Sequence, residues 1–205
     1  MGHLRKVLSL TAEKIKRAAE ALGRAFHDDP FMTRLIPDGS RRARLLPRLQ
    51  KTVVRYGYLY GEVYTTPAVE GVVVWLLPGQ TTLTPGRMLR TGMLAAPLWF
   101  GVRELAHLQA LFTYAGEMRR RYAPGRHWYL LSLRVEPGCQ GQGIGSMLLQ
   151  PALARADADA LPCYLDTEKE ANVAFYEKHG FKVVGAGEAP HSRLPIWALR
   201  RETVR

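Results

Sequence analysis

Cysteine is scarce in this sequence. Of the two present, Cys139 and Cys163, neither belongs to a Cys-x-x-Cys pair or stands at ligand spacing from a histidine. Zinc and dithiol redox chemistry therefore have no support, and no metal is expected. Two thiols in 205 residues fit a reducing compartment, so the chain is read as cytoplasmic. Long apolar runs are also missing. The stretch "VVVWLL" (Val72 to Leu77) is among the longest, and it is far too short to span a bilayer. The first turns of sequence hold no uninterrupted apolar core such as a secretory leader needs. After the Met1-Gly2 start, Lys6 stands where a myristoylation signal wants Ser or Thr. No membrane partner is expected. Internal repeats and low-complexity tracts are absent, which leaves residues 1–205 as a single domain.

What is present is an ordinary globular balance, 47% apolar and 23% charged, in a chain long enough to bury a sizeable core. Acidic residues are outnumbered, and the net charge is +11. The basic residues gather in "RRARLLPRLQKTVVR" (Arg41 to Arg55) and in "RRR" (Arg119 to Arg121). The first cluster is interleaved with Leu45, Leu46, Leu49, Val53 and Val54 at helical spacing, which reads as an amphipathic helix with a solvated basic face. No basic–aromatic stripe runs along the chain, so nucleic acid is not the expected partner.

The periodicity predicts a mixed α/β protein. "KVLSL" is a short strand, and Thr11 stands where it could cap a helix that stops near Asp29-Pro30. Ser40 could cap a second helix reaching about Tyr60 despite Pro47. "GEVYTTP" and "EGVVVWLLPG" read as paired strands, and Thr84 to Tyr122 as helix in two pieces broken around Ala96-Pro97. Then come a strand in "HWYLLSLRVEP", a helix from Gly143 to Asp159 that Pro151 should kink or shorten, and a strand in "PCYLDTE". A helix in "EANVAFYEKHG" and strands in "FKVVGAG" and "RLPIWALRR" complete a central sheet, parallel where a helix crosses over.

Chemistry enters at "VEPGCQGQGIGSMLL". A strand handing over to a helix through glycines is an anion site, because backbone N–H groups and the helix dipole both favour negative charge. The third glycine comes one residue too early for a dinucleotide fingerprint, and the Gly-Lys-Ser/Thr of a nucleoside triphosphate loop is missing. What remains is Gln-x-x-Gly-x-Gly, followed downstream by "NVAFYEKHGF". Together and in this order they resemble the signature of the GNAT acyltransferase superfamily. The C-terminal half, with "AFHDDPFMTRLIPD" near the start, is similar to the puromycin N-acetyltransferase-like group. The resemblance covers roughly two thirds of the chain; Thr81 to Arg126 shares only its helical character.

The resemblance implies the GNAT fold, a mixed central sheet flanked by helices, and acetyl transfer from acetyl-CoA to an amine. It implies that Leu133, Arg134 and Val135 lend their backbone to the pantetheine arm, and that Gln140, Gly141, Gln142, Gly143, Ile144 and Gly145 hold the pyrophosphate. Asn172 would contact CoA, and Tyr176 would be the general acid. Asn172 and Tyr176 are four apart on a helix, so they share a face. Superfamily members often carry Arg where Gln140 stands, and Gln brings no charge. For the base that accepts the amine's proton, Asp28, Asp29, Glu70, Glu117, His127 and a held water are all open. Neither cysteine has a base partner in sequence, which favours direct transfer over an acyl-enzyme.

The expected acceptor is a small-molecule amine, an antibiotic or metabolite, in a pocket built from Thr81 to Tyr122. A protein lysine or N-terminus is the alternative within the same chemistry, and a non-catalytic CoA- or nucleic-acid-binding module is the alternative outside it. The last strand could pair across a homodimer.

Overall fold

The computed structural model describes residues 6–203; Met1 and Gly2, on which the anchor reading turns, lie outside them. The described residues form one sheet of seven strands: β1 (Leu8–Ser9), β2 (Gly61–Thr65), β3 (Gly71–Leu76), β4 (Trp128–Val135), β5 (Cys163–Thr167), β6 (Lys182–Glu188) and β7 (Pro195–Arg201), in the order β1-β2-β3-β4-β5-β7-β6. The helices are α1 (Ile15–Ala25), α2 (Pro30–Leu35), α3 (Gly39–Tyr60), α4 (Pro85–Thr91), α5 (Val102–Tyr122), α6 (Ile144–Ala158) and α7 (Glu170–Glu177). The α/β class and the mixed sheet are as the sequence predicts. No helix among the described residues is long and apolar enough to cross a membrane.

Helices cover both faces of the sheet. Val72 and Val74 bury against α1 and α3, while the alternate Val73 and Trp75 bury against α6. Every residue of β3 is buried, as a strand covered on both faces requires. On the far half, Tyr129, Tyr164, Ile196 and Ala198 share a core with α2, α3 and α5, and Leu165 and Leu199 share one with α6.

Crossover helices do not always bring neighbours together. β4 and β5, joined through α6, pair in parallel. β5 and β6 are joined through α7, yet β7 lies between them and pairs antiparallel with both.

Several expected boundaries move. Thr11 opens a 3₁₀ turn, and its hydroxyl donates to Glu13 (2.8 Å) rather than accepting from a helix N–H. The first helix ends at Ala25, and Asp29 starts a new one. Its carboxylate accepts from the Phe31 N–H (3.1 Å), with Pro30 at the first helical position, where a missing N–H costs nothing. Asp38, not Ser40, caps α3, because it is the residue whose oxygen reaches the Arg41 N–H. α6 runs through Pro151 to Ala158 without being shortened. Between α4 and α5 a 3₁₀ turn, Met93–Leu98, contains the expected break at Ala96-Pro97.

Two irregularities of β4 position the site. First, β4 pairs with β5 at only two positions, Trp128 with Cys163 and Tyr129 with Tyr164; beyond them the strands part. Second, Leu131 is an extra residue in the ladder to β3, which pairs Leu130 with Trp75 and Ser132 with Val74. Such a bulge reverses the alternation of side chains. Leu130 and Leu133, three apart, consequently share one core, and Ser132 stands opposite Val74 on the face covered by α1 and α3.

Candidate active site

The glycine loop is built as an anion cradle. Gly141 and Gly143 take φ of +74° and +76°, a left-handed backbone that costs a residue with a Cβ about 1–2 kcal/mol. That backbone turns the chain out of β4 and into α6. Gly143 is the N-cap of α6 and has no side chain to satisfy the helix, so the first N–H groups, from Ile144 to Ser146, lack intrahelical acceptors.

This loop lines one wall of a cleft of about 530 Å³. Leu133, Arg134, Val135, Gln140, Gly141, Gly143, Ile144, Gly145, Asn172 and Tyr176 all border it. Of the residues singled out from sequence, Gln142 is the exception: its side-chain amide donates instead to the Gly138 carbonyl (3.4 Å). Gln140 borders the cleft, but its amide is tied to the Val135 carbonyl (3.1 Å) and tethers the loop to the strand. Positive charge comes from Lys169 and Lys178, at the two ends of α7, which also line the cleft. Sequence reading missed both, since nothing local distinguishes them from other surface lysines. Asn172 donates to the Thr167 hydroxyl (3.0 Å), anchoring α7 to the end of β5.

A second, smaller cavity of about 140 Å³ lies on the other side of the gap between β4 and β5. Phe31 and Met32 of α2, Leu49 and Gln50 of α3, and Leu108 and Leu111 of α5 form its walls. Only the α5 part of the expected acceptor segment contributes; α2 and α3 replace the portion between Thr81 and Gly101. Tyr176 lines both cavities, as do Leu133 and Arg134. The sheet is open there: α7 lies on the face of α6, yet its tyrosine borders a cavity walled by helices of the opposite face. Burial pushes the Tyr176 hydroxyl up to about 12, so it is a proton-bearing donor at neutral pH.

Among the carboxylates considered as bases, Asp29 lines the smaller cavity but is already engaged. It caps α2 and accepts from Arg134 (3.2 Å), with the Lys169 ammonium 3.8 Å away. The Arg134 guanidinium also lies over the Phe26 ring, 4.1 Å from its centre. Asp28 is 90% exposed and pairs with its neighbour His27. Glu117 borders a shallow surface depression beside Tyr114 and Pro190. Glu70 and His127 border neither cavity, and the His127 ring is bonded to the Gly125 carbonyl (3.0 Å).

The structure instead brings in Asp166 and Glu168, at the end of β5, both lining the smaller cavity. Burial pushes Asp166 up to about 6, although the Tyr129 hydroxyl donates to it (2.9 Å). Glu168 is pushed up to about 7, first by burial and then by the negative charges of Asp166 and Asp29. The signal was present in "LDTE": two carboxylates two apart on an apolar strand share one face. The thiol of Cys163 is pushed up to about 12 by burial and stays protonated, which leaves no nucleophile there. Among the described residues, no three His, Cys, Asp or Glu side chains gather as metal ligands.

Residues 105–181 match the model of the acetyltransferase (GNAT) family. The chain is 25% identical over 190 residues to the uncharacterized N-acetyltransferase C550.08 of Schizosaccharomyces pombe, covering 83% of this chain and 71% of that one. It is 32% identical over 93 residues to the peptidyl-lysine N-acetyltransferase YjaB of Salmonella typhimurium; there the match spans 45% of this chain and 55% of the relative. The fold superposes on a crystal structure described as histone acetyltransferase HPA2 and related acetyltransferase, from Corynebacterium glutamicum. The TM-score is 0.72 at 20% identity, with 98% and 97% of the two chains covered. These likenesses reach the superfamily and not the narrower puromycin N-acetyltransferase-like group.

Proposed function

Since the chain belongs to the GNAT superfamily of N-acetyltransferases, we propose that it moves an acetyl group from acetyl-CoA directly onto the amine of a small molecule. The observation that carries this reading is the placement of Tyr176 on the wall common to the glycine-loop cleft and the smaller cavity. Donor and acceptor would meet at that one hydroxyl.

The residues present fit acetyl-CoA. Uncapped N–H groups from Ile144 to Ser146 suit a pyrophosphate, and Lys169 and Lys178 supply the charge that Gln140 lacks. The edge of β4 beyond Tyr129, unpaired by β5, suits the amides of a pantetheine arm. Bound acetyl-CoA supplies an activated acetyl thioester. An ammonium entering the smaller cavity gives one proton to Glu168, whose raised pKa of about 7 matches it to that task. The amine nitrogen then bonds to the acetyl carbon and the carbon–sulfur bond breaks. The thiolate takes its proton from the Tyr176 hydroxyl, which regains one from the amide nitrogen as that nitrogen sheds it.

A protein lysine acceptor is the second reading, prompted by the Salmonella relative. It asks for an open groove, whereas Phe31, Met32, Gln50, Leu108 and Leu111 around this cavity are all less than 9% exposed. That enclosure favours a small acceptor. We further take residues 1–205 as one catalytic domain working in a reducing compartment. The test is amine-dependent release of CoA thiol from acetyl-CoA across a panel of small amines and lysyl peptides. Release with peptides alone would reverse the choice of acceptor; no release with any amine, from a protein whose melting acetyl-CoA leaves unmoved, would sink the proposal.

A further inference from the structure

The smaller cavity is tighter than the glycine-loop cleft. Its volume, about 140 Å³, is close to the ~150 Å³ of an apolar protein cavity that holds one benzene ring. Phe31, Met32, Leu49, Leu108 and Leu111 make most of the wall apolar. A second cation held against these apolar walls would be poorly solvated, since the carboxylates of the cavity stand at the end of β5 and at the start of α2.

Two polar atoms interrupt that wall. Gln50 is 3% exposed and Ser132 is 8% exposed, yet Gln50 Oε1 and Ser132 Oγ have no hydrogen-bond partner. Both residues line the cavity. Buried polar atoms are nearly always paired, so each orphan calls for a partner that the protein does not supply. The position of Ser132 is not incidental. Only the bulge at Leu131 turns it to this face, opposite Val74. Gln50 Oε1 is an acceptor, so its missing partner is a donor. The charged groups of the cavity are Asp29 and Arg134, paired with each other, and Asp166 and Glu168 at the end of β5.

Building on the acetyl-transfer reading above, we infer that the acceptor is a ring-bearing monoamine that carries a hydroxyl or N–H group on its ring. The ammonium meets Glu168 beside Tyr176, the ring fills the space between α2, α3 and α5, and the ring's donor pairs with Gln50. Gln50 is thus a specificity-determining residue and not a catalytic one.

The test uses the full chain with saturating acetyl-CoA and four probes: tyramine, 2-phenylethylamine, spermidine and a lysyl peptide. Tyramine is expected to give the highest kcat/KM, 2-phenylethylamine about 10-fold less, and the other two at least about 100-fold less. Gln50→Leu should raise the tyramine KM about 10-fold with kcat kept, and leave 2-phenylethylamine nearly unchanged. Gln50 has no partner for its amide oxygen to lose, and leucine matches its size, so the variant should fold; its melting temperature checks this. Spermidine or the peptide matching tyramine would overturn the inference. So would equal rates for the two aryl amines with Gln50→Leu altering neither. A melting shift with acetyl-CoA but no turnover of either aryl amine sinks the acceptor class and leaves acetyl transfer standing. No shift and no turnover removes both.

Discussion

In the mechanism proposed above, Tyr176 and Glu168 divide the labour of proton handling, and each can be tested alone. Tyr176→Phe removes one hydroxyl from a buried ring held edge-on by Phe175 and Phe181, so packing is retained. We expect kcat to fall about 10- to 100-fold with acetyl-CoA affinity nearly unchanged; a parallel loss of affinity would mark the tyrosine as structural. For Glu168, the carboxyl is pushed up from its ordinary 4.5 to about 7. It accepts a proton only when ionised, so the amine kcat/KM of the wild type should rise through about pH 7, and Glu168→Gln should lack that inflection. The same displacement fixes a stability effect. A folded-state pKa above the unfolded one gives stability that is full below about 4.5 and lost as pH rises through 7. Glutamine never ionises, so Glu168→Gln should melt several degrees above wild type at pH 8 and level with it near pH 4. Tyr176 was legible in sequence because its helix carries a motif. For Glu168 the sequence held only the Asp-x-Glu spacing of "LDTE"; its burial and the neighbouring charges of Asp166 and Asp29, the latter at the start of a helix more than a hundred residues away in the chain, come from the fold.

Elements place these groups, and their docking leaves little slack. A Cβ added at Gly185 of β6 would fall 2.2 Å from the Tyr122 ring of α5, and one at Gly187 would fall 2.0 Å from the Tyr114 hydroxyl. α5 therefore lies directly on β6, and α5 roofs the smaller cavity. Gly185→Ala must displace the Tyr122 ring at the end of α5. It should cost about 1–3 kcal/mol in a denaturant melt and raise the acceptor KM, while acetyl-CoA affinity stays near wild type. Most elements could be read from periodicity, since strands with alternating or continuous apolar residues and a helix opened by glycines leave local traces. The helix starts at Ile15, Pro30 and Gly39 could not be fixed in the same way, because Thr11, Asp29, Asp38 and Ser40 are all competent caps and tertiary packing chooses among them. Neither the bulge at Leu131 nor the parting of β4 from β5 leaves a local mark: both belong to pairing between strands. The walls of the smaller cavity could not be read from sequence for that reason, since α2 and α3 reach it only through the fold.

At the scale of the whole molecule, the net charge of +11 does not describe the smaller cavity, where Asp29, Asp166 and Glu168 gather. A ligand that binds only the folded chain must stabilise it. Acetyl-CoA at 100 times its dissociation constant should add about 2.7 kcal/mol, a shift of several degrees in a thermal melt, and free CoA should do nearly as well if the loop and lysines dominate binding. The opening between β4 and β5 has a further consequence, which concerns traffic. The glycine-loop cleft and the smaller cavity lie on opposite sides of the sheet and touch only around Leu133, Arg134 and Tyr176. Each proposed ligand thus has its own chamber, and a spent carrier would not have to cross the acceptor's space to leave the glycine-loop cleft.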